Sequence, residues 1–302
     1  MYPRITDLLK DFLGIDFPLP IYSFGFMMAV AILTASWIAG RELQRLQKNG
    51  RLGKITQTVK DKAGKVQTIM VQPSDLMTNI TVVAAIAGVI GAKVFYLLEE
   101  PNGTLAEKLF SAGGLTFYGG LIFGAIAVLY YVRKKGVQGA SLPVFMDALA
   151  PSLILAYGIG RMGCHLAGDG DWGIAANMTL KPSFLPNWLW AETYPRNILG
   201  QVLDAPGVYP TPIWEFIAGV AIFGMLMLVR KHPFKSGWLF SLYLLLNGLE
   251  RFLIEKVRVN TEYHLGSMVF TQAELIATIF MLAGIVGLVL LSKKTPVLAT
   301  AA

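Results

Sequence analysis

A chain of 302 residues with 54% hydrophobic and only 15% charged side chains, and a mean hydropathy of +0.55, lies well below the roughly 25% charge of soluble domains; a water-soluble globular protein is excluded. The net charge of +7 is dealt out between apolar blocks instead of gathered on one face, which argues against nucleic acid as a partner. One cysteine and three histidines exclude an internal disulfide and supply neither a multi-cysteine site nor a His-Glu-x-x-His pair, so no metal and no cofactor is expected.

Residues 1–16 form a short amphipathic segment, with Ile5, Leu8, Leu9 and Phe12 on one helical face, suited to the outer membrane interface. The first long apolar block, about 20–40, begins late, follows a lead of mixed charge and lacks an Ala-x-Ala cleavage pattern at its end, so it reads as a retained span and not a signal peptide. Residues 50–74 read as a loop with a small hairpin, KITQTVK and KVQTIMV alternating about Asp61-Lys62-Ala63-Gly64. Further blocks follow at 76–98, 115–132, 142–162, 211–229, 237–255 and 271–291, each near the roughly 20 residues that cross a bilayer. The long segment 163–210 is rich in Pro, Gly and Trp and reads as a shelf at headgroup level.

Lys and Arg mark one side of the membrane. Eight lie in 41–65, three at 133–135, three within 230–235 and two at 293–294, while the N-terminal lead, 99–114 and 163–210 are poor in them. The positive-inside rule then places the N-terminus outside and the C-terminus in the cytoplasm, with seven spans between. The expected class is an all-α polytopic membrane protein, one seven-helix domain over 1–302, with anionic membrane lipids facing the basic loops.

Ionisable groups inside such blocks are costly, about 2.5–3.5 kcal/mol for Arg or Lys at a helix centre. Snorkelling accounts for Lys93 and Lys256. It serves poorly for Arg161, Glu215, Glu250, Arg251, Glu255 and Arg258. In LNGLERFLIEKVRVN, helical spacing presents Arg251, Glu255 and Arg258 as one stripe. That stripe is either an ion-pair ladder tying a bundle together or an anion-binding wall, and Arg161 arriving at the same outer side favours the wall. Guanidiniums fork onto phosphate while carboxylates fix their orientation. Glu215, in YPTPIWEF, is expected within the first turn of its span, where it either compensates the helix dipole, or holds an arginine or accepts a hydrogen bond from a substrate.

Tyr118 precedes Gly119 and Gly120 in LTFYGGLIFG. The glycines support close helix packing, and the tyrosine is either an interfacial anchor or a group reachable by a lipid headgroup. Cys164 and His165 are adjacent, hence about 100° apart on a helix and badly placed as a catalytic pair. Cys164 reads as packing.

These residues resemble the prolipoprotein diacylglyceryl transferase family. The resemblance spans nearly the whole chain and rests on FYGG at 117–120, DALAP at 147–151, GRMGCHLAGDGDWG at 160–173, PTPIWE at 210–215 and NGLERFLIEKVRVN at 247–260. Arg161, Gly163 and Gly173 match the family signature, while Cys164 and Ala167 stand where it has asparagine. Asp169 matches the signature acid counted from the left; because the segment is one residue longer, Asp171 is the alternative. Glu215 matches the family acid with Trp214 replacing a tyrosine, and Arg251, Glu255 and Arg258 match the Arg-x-x-x-Glu pair and the basic residue beyond it. Tyr118 stands where the family commonly has a histidine, which leaves the base unassigned.

The resemblance implies an enzyme of the bacterial inner membrane with a periplasmic N-terminus and active site. It would move the sn-1,2-diacylglyceryl group of phosphatidylglycerol to the lipobox cysteine thiol of a prolipoprotein, releasing glycerol 1-phosphate, as the first step of lipoprotein maturation. Arg161, Arg251, Glu255, Glu215 and Tyr118 are then the expected catalytic set. Arg161, Arg251, Arg258, Asp169, Gly119, Gly120 and Gly173 are expected to bind the lipid. Nothing in the residues sets the oligomeric state.

Overall fold

The computed structural model describes residues 1–60, 65–99, 104–110, 116–135, 137–138, 141–265 and 268–293. Among these, ten α-helices and two antiparallel hairpins follow in the order α1 (Ile5–Leu13), α2 (Ser23–Lys48), β1 (Thr56–Lys60), β2 (Val66–Met70), α3 (Pro73–Glu99), α4 (Leu105–Phe110), α5 (Phe117–Lys134), α6 (Leu142–Ala167), α7 (Asn187–Trp190), α8 (Thr211–Val229), α9 (Trp238–Glu255), β3 (Glu262–Leu265), β4 (Met268–Thr271) and α10 (Gln272–Leu291). The chain divides into two compact units, one of Met1–Ala35 with Met146–Ala302 and one of Ser36–Phe145.

Among the described residues, five helices are long and apolar enough to cross a membrane: α2, α3, α6, α8 and α10. The other two expected blocks are helical as well, but α5 ends in Arg133 and Lys134 and α9 carries Glu250, Arg251 and Glu255. The protein is thus a mainly helical membrane protein.

In the unit Ser36–Phe145, β1 and β2 pair from Thr56 opposite Met70 to Lys60 opposite Val66; the expected turn at 61–64 lies outside the described residues. The helices α3 and α5 meet backbone to backbone. A Cβ on Gly119 would stand 2.3 Å from the Gly91 carbonyl oxygen, and one on Gly91 only 2.4 Å from that of Gly119. Only hydrogen fits at either position, the small-residue contact that lets membrane helices approach closely.

In the larger unit, Ile154 of α6, Ile222 and Leu226 of α8 and Leu239 of α9 form a buried core, flanked by Tyr157, Phe223, Leu242, Tyr243 and Leu246. The start of α9 is held from another helix. Asp147 of α6 accepts the Gly237 N–H at 2.7 Å and the Phe240 N–H at 2.9 Å, satisfying amides that have no partner within their own helix. The helix α8 begins on Pro210 and Pro212, whose fixed φ suits a first turn. The helix α10 opens with a capping box, in which Thr271 accepts the Glu274 N–H and Glu274 accepts the Thr271 N–H.

Candidate active site

Six charged residues of the larger unit, Arg161, Asp171, Glu215, Arg251, Glu255 and Arg258, converge where the C-terminal end of α6, the start of α8 and the C-terminal end of α9 meet. Tyr157 and Arg161, one helical turn apart on α6, share a face, and the guanidinium lies over the Tyr157 ring at 5.1 Å. Glu215 sits at the centre and is 0% exposed. Arg161 Nε approaches its Oε1 at 3.4 Å, Arg251 Nη1 the same oxygen at 3.3 Å, and Arg258 Nη1 its Oε2 at 3.5 Å. The Tyr157 hydroxyl donates to Glu215 Oε1 at 2.7 Å. Glu255 Oε2 lies 2.9 Å from Arg251 Nη2, an ion-pair contact outside hydrogen-bond alignment, and Glu255 Oε1 accepts from Asn260 Nδ2 at 2.7 Å.

Glu215 therefore does not serve as a dipole-compensating cap. It is the fifth residue of α8, beyond the first turn, and its carboxylate is shared among three guanidiniums and a phenol. A buried carboxylate needs such partners, because unpaired it would cost several kcal/mol.

Of the two aspartates in the signature segment, Asp171 takes the arginines. Its two oxygens pair separately with Arg161 and Arg258. Asp169 accepts the Asp171 backbone N–H at 3.3 Å, and no arginine pairs with it among the described residues. Their pKa values are displaced in opposite directions. Burial, with the neighbouring Asp171 carboxylate second, raises the Asp169 pKa. Burial also works to raise that of Asp171, but Arg161 and then Arg258 outweigh it and hold the carboxyl below its usual range.

Arg258 reaches the cluster differently from the helical stripe expected of it. The helix α9 ends at Glu255, and the chain then turns to lie beside the signature segment. Ile174 N–H donates to the Val257 carbonyl at 2.8 Å, and Gly173 and Arg258 form a short antiparallel bridge. Gly173 makes this approach possible: its N–H donates to Tyr209 O at 2.9 Å, and a Cβ there would stand 2.5 Å from Val257 O. Its part in the site is thus to let the backbone carrying Arg258 come close.

Cys164 is buried. Its Sγ and one oxygen of each of Asp169 and Asp171 lie within 4.8 Å of one another, a spacing that could hold a metal ion. Both Asp171 oxygens are already taken by arginines, so a cation would have to enter against two guanidiniums. The chemistry of the donor set fits packing around the ion pairs better than metal ligation. His165 points elsewhere, its Nδ1 lying 3.2 Å from the Tyr194 hydroxyl.

Arg161, Glu215, Arg251, Glu255 and Arg258 are thus brought together, with Gly173 in the supporting backbone and Asp169 at the edge. Gly119 and Gly120 belong to the other unit, where both face α3, and the Tyr118 side chain lies outside the described residues. Three participants were not among the expected site residues. Tyr157 could have been read from its spacing four residues before Arg161, whereas nothing local marks Asn260, or Asp171 over Asp169. The site is partly open: Asp171 is 31%, Arg251 23% and Arg161 19% exposed, against 8% for Arg258.

The prolipoprotein diacylglyceryl transferase family model matches residues 11–290. This chain belongs to that family. It is 30% identical over 251 residues to the phosphatidylglycerol–prolipoprotein diacylglyceryl transferase of Staphylococcus aureus (strain Newman), covering 81% of this chain and 76% of the relative. It is 27% identical over 265 residues to the protein of that name from Leptospira interrogans, covering 79% and 71%. The one from Lactobacillus acidophilus is 27% identical over 263 residues, covering 83% and 79%. The family and the relatives' names indicate a phosphatidylglycerol–prolipoprotein diacylglyceryl transferase.

Proposed function

We propose that the protein moves the sn-1,2-diacylglyceryl group of phosphatidylglycerol onto the lipobox cysteine thiol of a prolipoprotein, as the first step of lipoprotein maturation. Glycerol 1-phosphate leaves. The observation that carries this reading is the ring of Arg161, Arg251 and Arg258 around one buried carboxylate, Glu215. Three guanidiniums held in fixed orientation suit a phosphate whose charge grows during reaction.

The reaction is a single displacement. The thiol sulfur attacks the glycerol carbon that bears the phosphate ester, the S–C bond forms, and the C–O bond breaks with its electron pair going to the phosphate. Arginine contacts that tighten as that charge develops lower the barrier. Arg161 and Arg251 bind the phosphate, and Arg258 adds positive potential. Glu215 and Glu255 orient the arginines, and one of them receives the thiol proton directly or through water. A thiol of ordinary pKa, about 8.5, needs only modest activation, so a tyrosine at position 118 in place of a histidine is compatible with turnover.

Asp169 and the backbone at Gly173 border the phosphate, while the family resemblance assigns Gly119 and Gly120 to the lipid and Tyr118 to the catalytic set. The chain works as one seven-span domain of the bacterial inner membrane, α5 and α9 completing the set of spans, with N-terminus and active site periplasmic and C-terminus cytoplasmic. The segment 1–16 lies in the interface, 50–74 in the cytoplasm and 163–210 over the outer leaflet. The basic loops at 41–65, 133–135 and 230–235 support this orientation.

Purified protein incubated with labelled phosphatidylglycerol and lipobox peptides with and without the cysteine tests the reaction. Label should reach only the thiol-bearing peptide, and Arg251→Ala at equal protein should abolish transfer. Label on the cysteine-free peptide, or near-normal turnover by the Arg251 variant, defeats the assignment.

A further inference from the structure

Among the described residues, Glu250 is the carboxylate of this cluster with no cation in ion-pair reach. Arg161, Arg251 and Arg258 are matched in number by Asp171, Glu215 and Glu255, which take all their ion pairs. Glu250 is a fourth carboxylate, on the last turns of α9 and only 7% exposed. Its Oε2 is buried without a hydrogen-bond partner. Its Oε1 lies 3.4 Å from the Tyr157 hydroxyl oxygen.

That hydroxyl has one proton, committed at 2.7 Å to Glu215. The remaining contact joins two oxygens and becomes a hydrogen bond only when Glu250 itself carries hydrogen. An ionised Glu250 would be a buried anion with an unsatisfied oxygen, whereas the protonated form leaves only a neutral oxygen short of a partner, a far smaller cost. Of the groups around it, Glu215 of α8 repels a second negative charge, whereas Arg161 of α6 and Arg251 of its own helix favour one but are already paired with Asp171, Glu215 and Glu255 and lie beyond ion-pair distance of Glu250.

We infer that Glu250 is a protonated, neutral positioning residue of the phosphate site. Its proton goes to the Tyr157 oxygen, which aims the Tyr157 proton at Glu215 and keeps the cluster free of surplus negative charge when the lipid phosphate arrives. A phosphodiester brings one negative charge to three arginines already balanced by three carboxylates; an ionised Glu250 would double the excess. This rests on the reading that the arginines hold phosphate.

Infrared spectroscopy of the substrate-free protein in lipid nanodiscs tests the protonation independently of that reading. Wild type should show a protonated-carboxyl carbonyl band that Glu250→Gln lacks and that Tyr157→Phe shifts. In the transfer assay, Glu250→Ala should raise the KM for phosphatidylglycerol about tenfold, and Glu250→Gln, which keeps a neutral donor, should recover most of that loss. Absence of a band sensitive to either variant overturns the inference. So does a roughly hundredfold fall in kcat for a folded Glu250→Gln protein, which would make Glu250 an ionised base. With the band present but the KM unmoved by Glu250→Ala, the protonation stands and the phosphate assignment fails.

Discussion

Removing the charge of Glu215 should be the most damaging single isosteric change in the cluster. Glu215→Gln keeps the side-chain volume but leaves Arg161, Arg251 and Arg258 facing only Asp171 and Glu255. None of the three arginine contacts to Glu215 is short, at 3.3 to 3.5 Å, so the loss is chiefly of charge compensation and not of one strong hydrogen bond. Breaking a buried pair by removing one partner costs about 3–5 kcal/mol, and at 0% exposure water cannot substitute for the missing charge. A dodecyl sulfate unfolding titration in mixed micelles should show a loss of that size. Pairing the change with Arg161→Met, which removes one surplus cation, should restore part of it. A Glu215→Gln protein within about 1 kcal/mol of wild type would refute the view that this carboxylate holds the arginines together.

Three further outcomes follow from the packing of the larger unit. Gly173→Ala should push Val257 and Arg258 away, since its Cβ would meet Val257 O at 2.5 Å; transfer should fall, while Gly224→Ala on α8, where a Cβ meets nothing within 4 Å, serves as the comparison in the same assay. Asp147→Ala should cost about 1–3 kcal/mol, because two amides at the start of α9 lose their acceptor, and the same micelle titration reads it. The pKa of Asp171 is held below its ordinary value of 3.8, so its contribution is complete above that value and is lost as pH falls through the lower folded one. The stability difference between wild type and Asp171→Asn should therefore be flat from about pH 6 to pH 4 and shrink below it; a difference that grows on acidification would contradict the ion pairing.

Hydropathy, charge spacing and short motifs determined much of this protein without coordinates. Burial in lipid requires long apolar helices, and the blocks at 76–98, 142–162 and 211–229 reappear as α3, α6 and α8. Arg161, Glu215, Arg251 and Glu255 stood out because each charge sits in or beside an apolar run, where its cost demands a reason. What partners they have was decided only in three dimensions. Arg258 continues the helical period of Arg251 in sequence, yet α9 stops at Glu255 and a backbone bridge to Gly173 carries it into place. Asp171 prevails over Asp169 because its two oxygens meet guanidiniums from segments 10 and 87 residues away. Asp147 caps a helix that begins 90 residues later, and Tyr157 joins two carboxylates from two other helices. Periodicity is local and can be read along the chain, whereas the partner of a buried charge is set by whichever distant segment packs against it.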